Sequence, residues 1–199
     1  MNFLAHLFLG PQQPQLALGS LLGDFVKGPL VSMQLPEQVK QGVWLHRRID
    51  SFTDAHPMVI RSKQRVSATR RRFAGIMVDM FYDHLLAAHW HRYSDRSLEH
   101  FTQDMYAVLL AQRAAIPQSA WPIIQRMAQQ DWLTSYAELA SLHQAVNNIS
   151  RRFTRATTLP GGVAELEAEY SAFEEDFLSF MPEVIEFARA EATFLGSSR

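Results

Sequence analysis

Histidine and aspartate recur in this chain at the spacing of one helical turn. In Val43-Trp-Leu-His46-Arg-Arg-Ile-Asp50 an imidazole and a carboxylate stand four residues apart, which puts both on one helix face within reach of a common ion. A later segment supplies Asp79, Asp83 and His84, with the two acids again at i and i+4. Both sets sit among Trp44, Ile49, Met80, Phe81 and Leu85. A carboxylate in such surroundings costs several kcal/mol unless a metal, an arginine or a hydrogen bond compensates it.

Two compensations follow from the residues. One is an ion network in which Arg47, Arg48 and the basic segment beyond them pair with these acids. The other is a divalent-ion site of mixed imidazole and carboxylate ligands, a set that suits Mn, Fe, Zn or Mg. His6, after the first apolar run, and Asp24, inside Leu21-Leu-Gly-Asp-Phe-Val, interrupt apolar stretches in the same way and join the candidate ligands. His56, in Asp54-Ala-His-Pro57, could wall the site. His89, His91, His100 and His143 read as structural or solvent-facing.

A second constellation is electrostatic. Arg61, Lys63, Arg65, Arg70, Arg71 and Arg72 put six positive charges into twelve residues without an acid, in a chain whose net charge is -1. Such a run is either a solvated face or a surface that steers an acidic partner or holds a phosphate. No zinc-finger spacing, aromatic RNA-binding motif or general basicity accompanies it, so nucleic acid is not expected.

These residues need a scaffold, and the chain of 199 residues is long enough to bury one full core. The apolar class makes up 47% against 20% charged residues, which argues for a globular protein and against disorder. With no cysteine, disulfides, thiolate nucleophiles and iron-sulfur clusters are excluded. Nucleotide-cradling glycine loops, the G-x-S-x-G elbow and His-Glu-x-x-His are missing as well. Met1 to His6 lacks a basic leader, and no stretch of about 20 uncharged apolar residues follows. A cytoplasmic protein without membrane attachment is the expectation.

Apolar residues recur mostly at helical spacing, so the fold class expected is all-α, in a single helical domain over residues 1–199. Helices are expected over 16–26, from Pro36 to about Phe52, over 71–90, 97–115, 122–132 and 136–153, and from Val163 to Glu191. The last holds nine acids against Arg189, with Leu166, Tyr170, Phe173, Phe177 and Phe180 at spacings of three and four. It reads as an amphipathic helix with a solvated acidic face, kinked or split at Pro182.

Four blocks in order carry a family resemblance. They are Met-Asn-Phe-Leu-Ala-His-Leu at 1–7, Gly19-Ser-Leu-Leu-Gly-Asp24-Phe-Val-Lys-Gly28, Leu45-His-Arg-Arg-Ile-Asp50-x-x-Thr-Asp54-x-His-Pro57, and Asp79-x-x-x-Asp83-His84-x-Leu. Together they resemble the acyl carrier protein phosphodiesterase family. The resemblance implies an all-helical, HD-domain-like phosphohydrolase. Its implied reaction is the manganese-dependent hydrolysis of the phosphodiester between 4'-phosphopantetheine and a serine of acyl carrier protein, turning the holo form into the apo form. The order that names HD proteins is reversed here, as Asp83-His84.

The expected metal ligands are accordingly His6, Asp24, His46, Asp50, Asp79 and Asp83, around Mn2+, with Mg2+ or Fe2+ as alternatives. Asp24, Arg47, Arg48 and His84 are the catalytic candidates, the arginines as neutralisers of non-bridging phosphoryl oxygens. The basic residues at 61–72 would dock the acidic carrier protein. Two other readings stay open on residues alone: an HD-like phosphohydrolase for a nucleotide or small phosphoester, and a non-enzymatic helical partner-binding protein.

Overall fold

Prolines and glycines punctuate the chain into helices. The computed structural model describes residues 1–150 and 157–197. The opening apolar run folds as α1 (Phe3–Leu9), which stops at Gly10 before Pro11. α2 (Pro14–Leu22) starts on a proline whose fixed φ suits the first turn. It ends four residues sooner than its hydrophobicity suggests, because the chain turns at Gly23 to bring Asp24 beside α3 (Glu37–Ala55). His56 is extended, as the residue before a proline must be. Its Nδ1 accepts the N–H of Met58 at 3.2 Å and so caps α4 (Pro57–Arg65).

The segment expected as one helix over 71–90 is α5 (Ala74–Ala88) with a 3-10 turn on either side. α6 (Leu98–Leu110) is capped by the Ser97 side chain, which accepts the N–H of His100. α7 (Trp121–Gln129) and the single turn α8 (Trp132–Ser135) are joined through Asp131, whose φ of 46° is left-handed. α9 (Leu139–Ser150) follows, and the expected continuation over 151–153 lies outside the described residues.

The last acidic stretch divides, but not at its proline. α10 (Val163–Ala168) ends at Glu169, and α11 (Tyr170–Ser197) runs straight through Pro182. A proline costs a helix about 3 kcal/mol. Here Phe180, Met181 and Val184 around it are fully buried, and their packing outweighs that loss. All regular structure among the described residues is helical, and no described helix is long and apolar enough to cross a membrane.

α2 lies most closely on α3, and α11 covers α3 and α4. The first crossing is possible because Gly19 and Gly42 face each other: a Cβ on either would overlap the other helix's backbone. Aromatic edges then lock α11 onto α5, with Phe81 against Phe173 at 5.3 Å and Tyr82 against Phe177 at 5.4 Å between ring centres.

Charge pairing across this interface revises two expectations. Asp176 of α11 is fully buried rather than part of a solvated face. It accepts hydrogen bonds from Arg61, from Arg65 at 2.9 Å and from Ser62 at 2.9 Å. Lys63 pairs with Asp54 at 2.7 Å, and Arg70 with Glu165 at 3.1 Å and the Thr158 carbonyl at 2.8 Å. The six-charge run is therefore mostly matched by the chain's own acids, and only Arg71 and Arg72 make no ion pair among the described residues. Arg72 lies over the ring of Phe73.

Replacing Asp176 by alanine should leave two guanidiniums and a hydroxyl without their acceptor. Because Arg61 and Arg65 keep some contact with water, the expected cost is about 2–3 kcal/mol rather than the full penalty of a buried orphan charge. A urea titration reads it as a lowered midpoint with an unchanged slope.

Candidate metal centre

Three side chains from two helices converge on the middle of α3. His6 comes from α1, while His46 and Asp50 lie one turn apart on α3. One ligand atom from each falls within 4.8 Å of the other two. The two imidazoles stack, with ring centres 3.7 Å apart and planes 22° from parallel. Asp50 lies across their edges: Oδ1 accepts from His6 Nε2 at 3.0 Å, and Oδ2 is 3.1 Å from His46 Nε2.

The surroundings orient each group. His46 Nδ1 donates to the Ser20 carbonyl at 2.8 Å, which fixes the ring and turns Nε2 toward the cluster, as metal-binding histidines require. Gly23 makes room for that ring, since a Cβ there would overlap it. Asp24 Oδ1 stands 3.7 Å from His46 Nε2. Both histidines are buried, whereas the Asp50 side chain is 39% exposed and the Asp24 side chain 38%, so the cluster opens to solvent along its carboxylate edge.

Protonation follows from these contacts. Burial, and then the charge of His46, lowers the pKa of His6 to about 3. Burial opposes charge on His46 too, but the hydrogen bond and charge of Asp50, with Asp24, raise its pKa. Burial likewise opposes ionisation of Asp50, yet hydrogen bonds from both imidazoles hold its carboxyl well below the usual range. Burial raises Asp24, with His46 opposing. His6 is thereby held neutral and the Asp50 carboxylate ionised.

The donor set fits a divalent ion. Two imidazole nitrogens and a carboxylate match Mn-, Fe- or Zn-type preferences. His6 Nδ1 is buried without a hydrogen-bond partner, so the ring is held in place by its Nε2 contact and by stacking.

Other expected ligands do different work. Asp79 accepts from the Met1 amino group at 2.9 Å, which is also 3.7 Å from Asp50 Oδ1. Asp83, expected as a ligand, is fully buried, and its oxygens accept the N–H groups of Leu4 at 2.8 Å and Ala5 at 3.1 Å. It caps α1 from 79 residues away, where Asn2 supplies no side-chain cap. Burial still lifts its pKa to about 7, against the pull of those amides.

The catalytic candidates divide similarly. Arg47 donates to the carbonyls of Gly28 at 2.8 Å and Val26 at 3.4 Å, bracing the turn after Asp24. Arg48 forms a paired hydrogen bond with Glu191 at 2.8 and 3.1 Å. Both guanidiniums have partners within the chain, and Arg48 makes its pair at the surface, 48% exposed. His84 sits between the Tyr136 carbonyl at 2.8 Å and the Tyr170 hydroxyl at 3.1 Å, joining α5 to α8 and α11 rather than acting at the cluster. His56 lies 3.3 Å from Glu183 on α11. His89 and His143 pair with Glu174 at 2.7 Å and Glu167 at 3.0 Å.

Sequence reasoning missed Ser20, whose carbonyl orients His46, and Gly23, which leaves space for it. It also missed a cleft beside Asp24, walled by Trp132, Gln144 and Asn148. The polar spacing of α9, Ser141, Gln144 and Asn148 opposite buried Leu142 and Val146, was its available signal.

Comparison with known proteins identifies relatives of nearly the whole chain. The family model described as "Acyl carrier protein phosphodiesterase" matches residues 1–184. A relative of that name from Photorhabdus laumondii is 33% identical over 94% of this chain and 95% of its own length. Another from Pectobacterium atrosepticum is 33% identical over 96% and 99%, and one from Yersinia pestis 32% over 95% and 98%. No solved structure matches.

Asp83→Ala should orphan two buried amides at the start of α1, at about 1–3 kcal/mol each. Because burial raises the carboxyl from the ordinary ~3.9 to about 7, its stabilising contribution is fully present below pH ~4 and is lost as pH rises through about 7. The difference between wild type and variant in urea should therefore be larger at pH 5 than at pH 8. A variant as stable as wild type at pH 5, but with weakened Mn2+ binding, would make Asp83 a ligand instead of a cap.

Proposed function

Because the chain belongs to the acyl carrier protein phosphodiesterase family, we propose that it is a metal-dependent hydrolase that removes 4'-phosphopantetheine from holo-acyl carrier protein and leaves the apo form. The observation that carries this reading is the convergence of His6, His46 and Asp50 at a solvent-reaching edge. Its ligand candidates come from two helices of an all-helical fold, and we extend the reading to an HD-domain-like architecture on that ground.

Nε2 of His6, Nε2 of His46 and the Asp50 carboxylate would hold the ion, Mn2+ first with Mg2+ or Fe2+ as alternatives, which when bound supplies Lewis-acid activation of water and phosphoryl group. The remaining work belongs to the chain. The Ser20 carbonyl keeps His46 in one tautomer. Asp24, beside His46 and raised in pKa by burial, is suited to take the proton of the attacking water. Attack at phosphorus breaks its bond to the carrier serine, which leaves as a hydroxyl, and no covalent enzyme intermediate is needed. For docking the acidic carrier, Arg71 and Arg72 are the cations of the basic segment left without an ion pair among the described residues, and both are exposed.

Asp50→Asn should weaken Mn2+ binding by more than about 100-fold in calorimetric titration of chelator-treated protein and abolish turnover, with helix content retained. Wild-type turnover with that variant would remove Asp50 from the site. Hydrolysis of holo-carrier protein in oxygen-18 water should place the label in the released phosphate, whereas label in the carrier serine would exclude attack at phosphorus.

A further inference from the structure

A cleft of about 470 Å³ opens beside the metal cluster, with Asp24 in its lining and 3.7 Å from His46. This is the size of a small-molecule site. One face of α9 forms a wall, with Ser141, Gln144, Asn148 and Ile149 along successive turns. Phe3, Ile76 and Met80 supply apolar surface from α1 and α5, and Trp132 closes the side near α8. Among the described lining residues Asp24 alone is charged, while four are carboxamides: Asn2, Gln130, Gln144 and Asn148.

That composition selects a ligand chemistry. An anionic ligand would be met by cations, and the described lining residues include none. A purely apolar chain would gain nothing from four carboxamides and two serines. Neutral amides in a flexible, partly methylated chain satisfy both the carboxamide wall, which donates and accepts, and the apolar surface opposite. The charged end of such a ligand would lie at the Asp24 end, against the metal cluster.

We propose that this cleft is the subsite for the pantetheine arm, binding its two amides through Gln144 and Asn148 and its gem-dimethyl carbons against Ile76 and Met80. The assignment rests on the reaction proposed above. It adds that the enzyme selects its phosphodiester by the prosthetic arm as well as by the carrier protein. His84 supports the cleft from behind, since its Nδ1 donates to the carbonyl of Tyr136, a lining residue.

The test uses N-ethylpantothenamide, which carries both amides but neither phosphate nor thiol and so reports on the cleft alone. Calorimetry on the Mn2+-treated wild-type protein should show binding. A Gln144→Ala/Asn148→Ala variant should weaken that binding at least 10-fold and lower kcat/KM for holo-carrier protein similarly, while bis(p-nitrophenyl) phosphate hydrolysis and the thermal midpoint stay unchanged. Absence of binding at millimolar ligand, binding indifferent to both substitutions, or tighter binding of adenosine at the same residues would overturn the assignment. Pantothenamide binding that depends on Gln144 and Asn148, in a protein that does not cleave holo-carrier protein, would uphold the cleft and overturn the reaction.

Discussion

One carboxylate shared between two stacked imidazoles is the constraint on which the site depends. Asp50 reaches His6 and His46 with separate oxygens, and each contact needs a different helix held at a fixed distance. α1 must bring His6 beside the middle of α3, and Asp83 of α5 holds α1 in place through two backbone amides. α2 must approach α3 closely enough for the Ser20 carbonyl to meet His46, which Gly19, Gly23 and Gly42 allow. The stacked rings would repel if both were charged. Burial of His6 avoids this by keeping one neutral.

The helical class and most helix positions were legible because hydrophobic spacing and proline punctuation act locally. So was the pairing of His46 with Asp50, which needs no knowledge beyond one helical turn. What the residues could not reveal is which polar groups meet across the fold. Asp79 and Asp83 have the spacing of ligands, yet they serve the Met1 amine and the start of α1. Arg47 and Arg48 are adjacent to His46 in sequence but point their donors to backbone carbonyls and to Glu191. Spacing defines a face, and only packing decides what that face meets.

Charge in this chain is segregated in sequence and recombined in space. The basic segment before α5 and the acidic stretch at the end are each unbalanced alone, and together they form the α4–α11 seam through Arg61, Arg65 and Asp176. The same logic extends to three histidines, His56, His89 and His143, each placed against an acid of the last two helices. Near-neutral composition thus conceals an internal electrostatic latch, and the surface field left for a partner is smaller than the local runs suggest.

The capping of α1 by Asp83 carries a consequence for how the protein is made. A seven-residue helix has too few turns to persist alone in water. Its first turn lacks an acceptor until a segment 79 positions later has been synthesised and has folded. The loop closed by that contact is long, and its entropy must be met before any gain is realised. The place of His6 therefore depends on the docking of α1 against α5. The complete cluster thus rests on contacts far apart in sequence, unlike a metal site encoded in one short loop, and α3 alone carries only its His46 and Asp50 half.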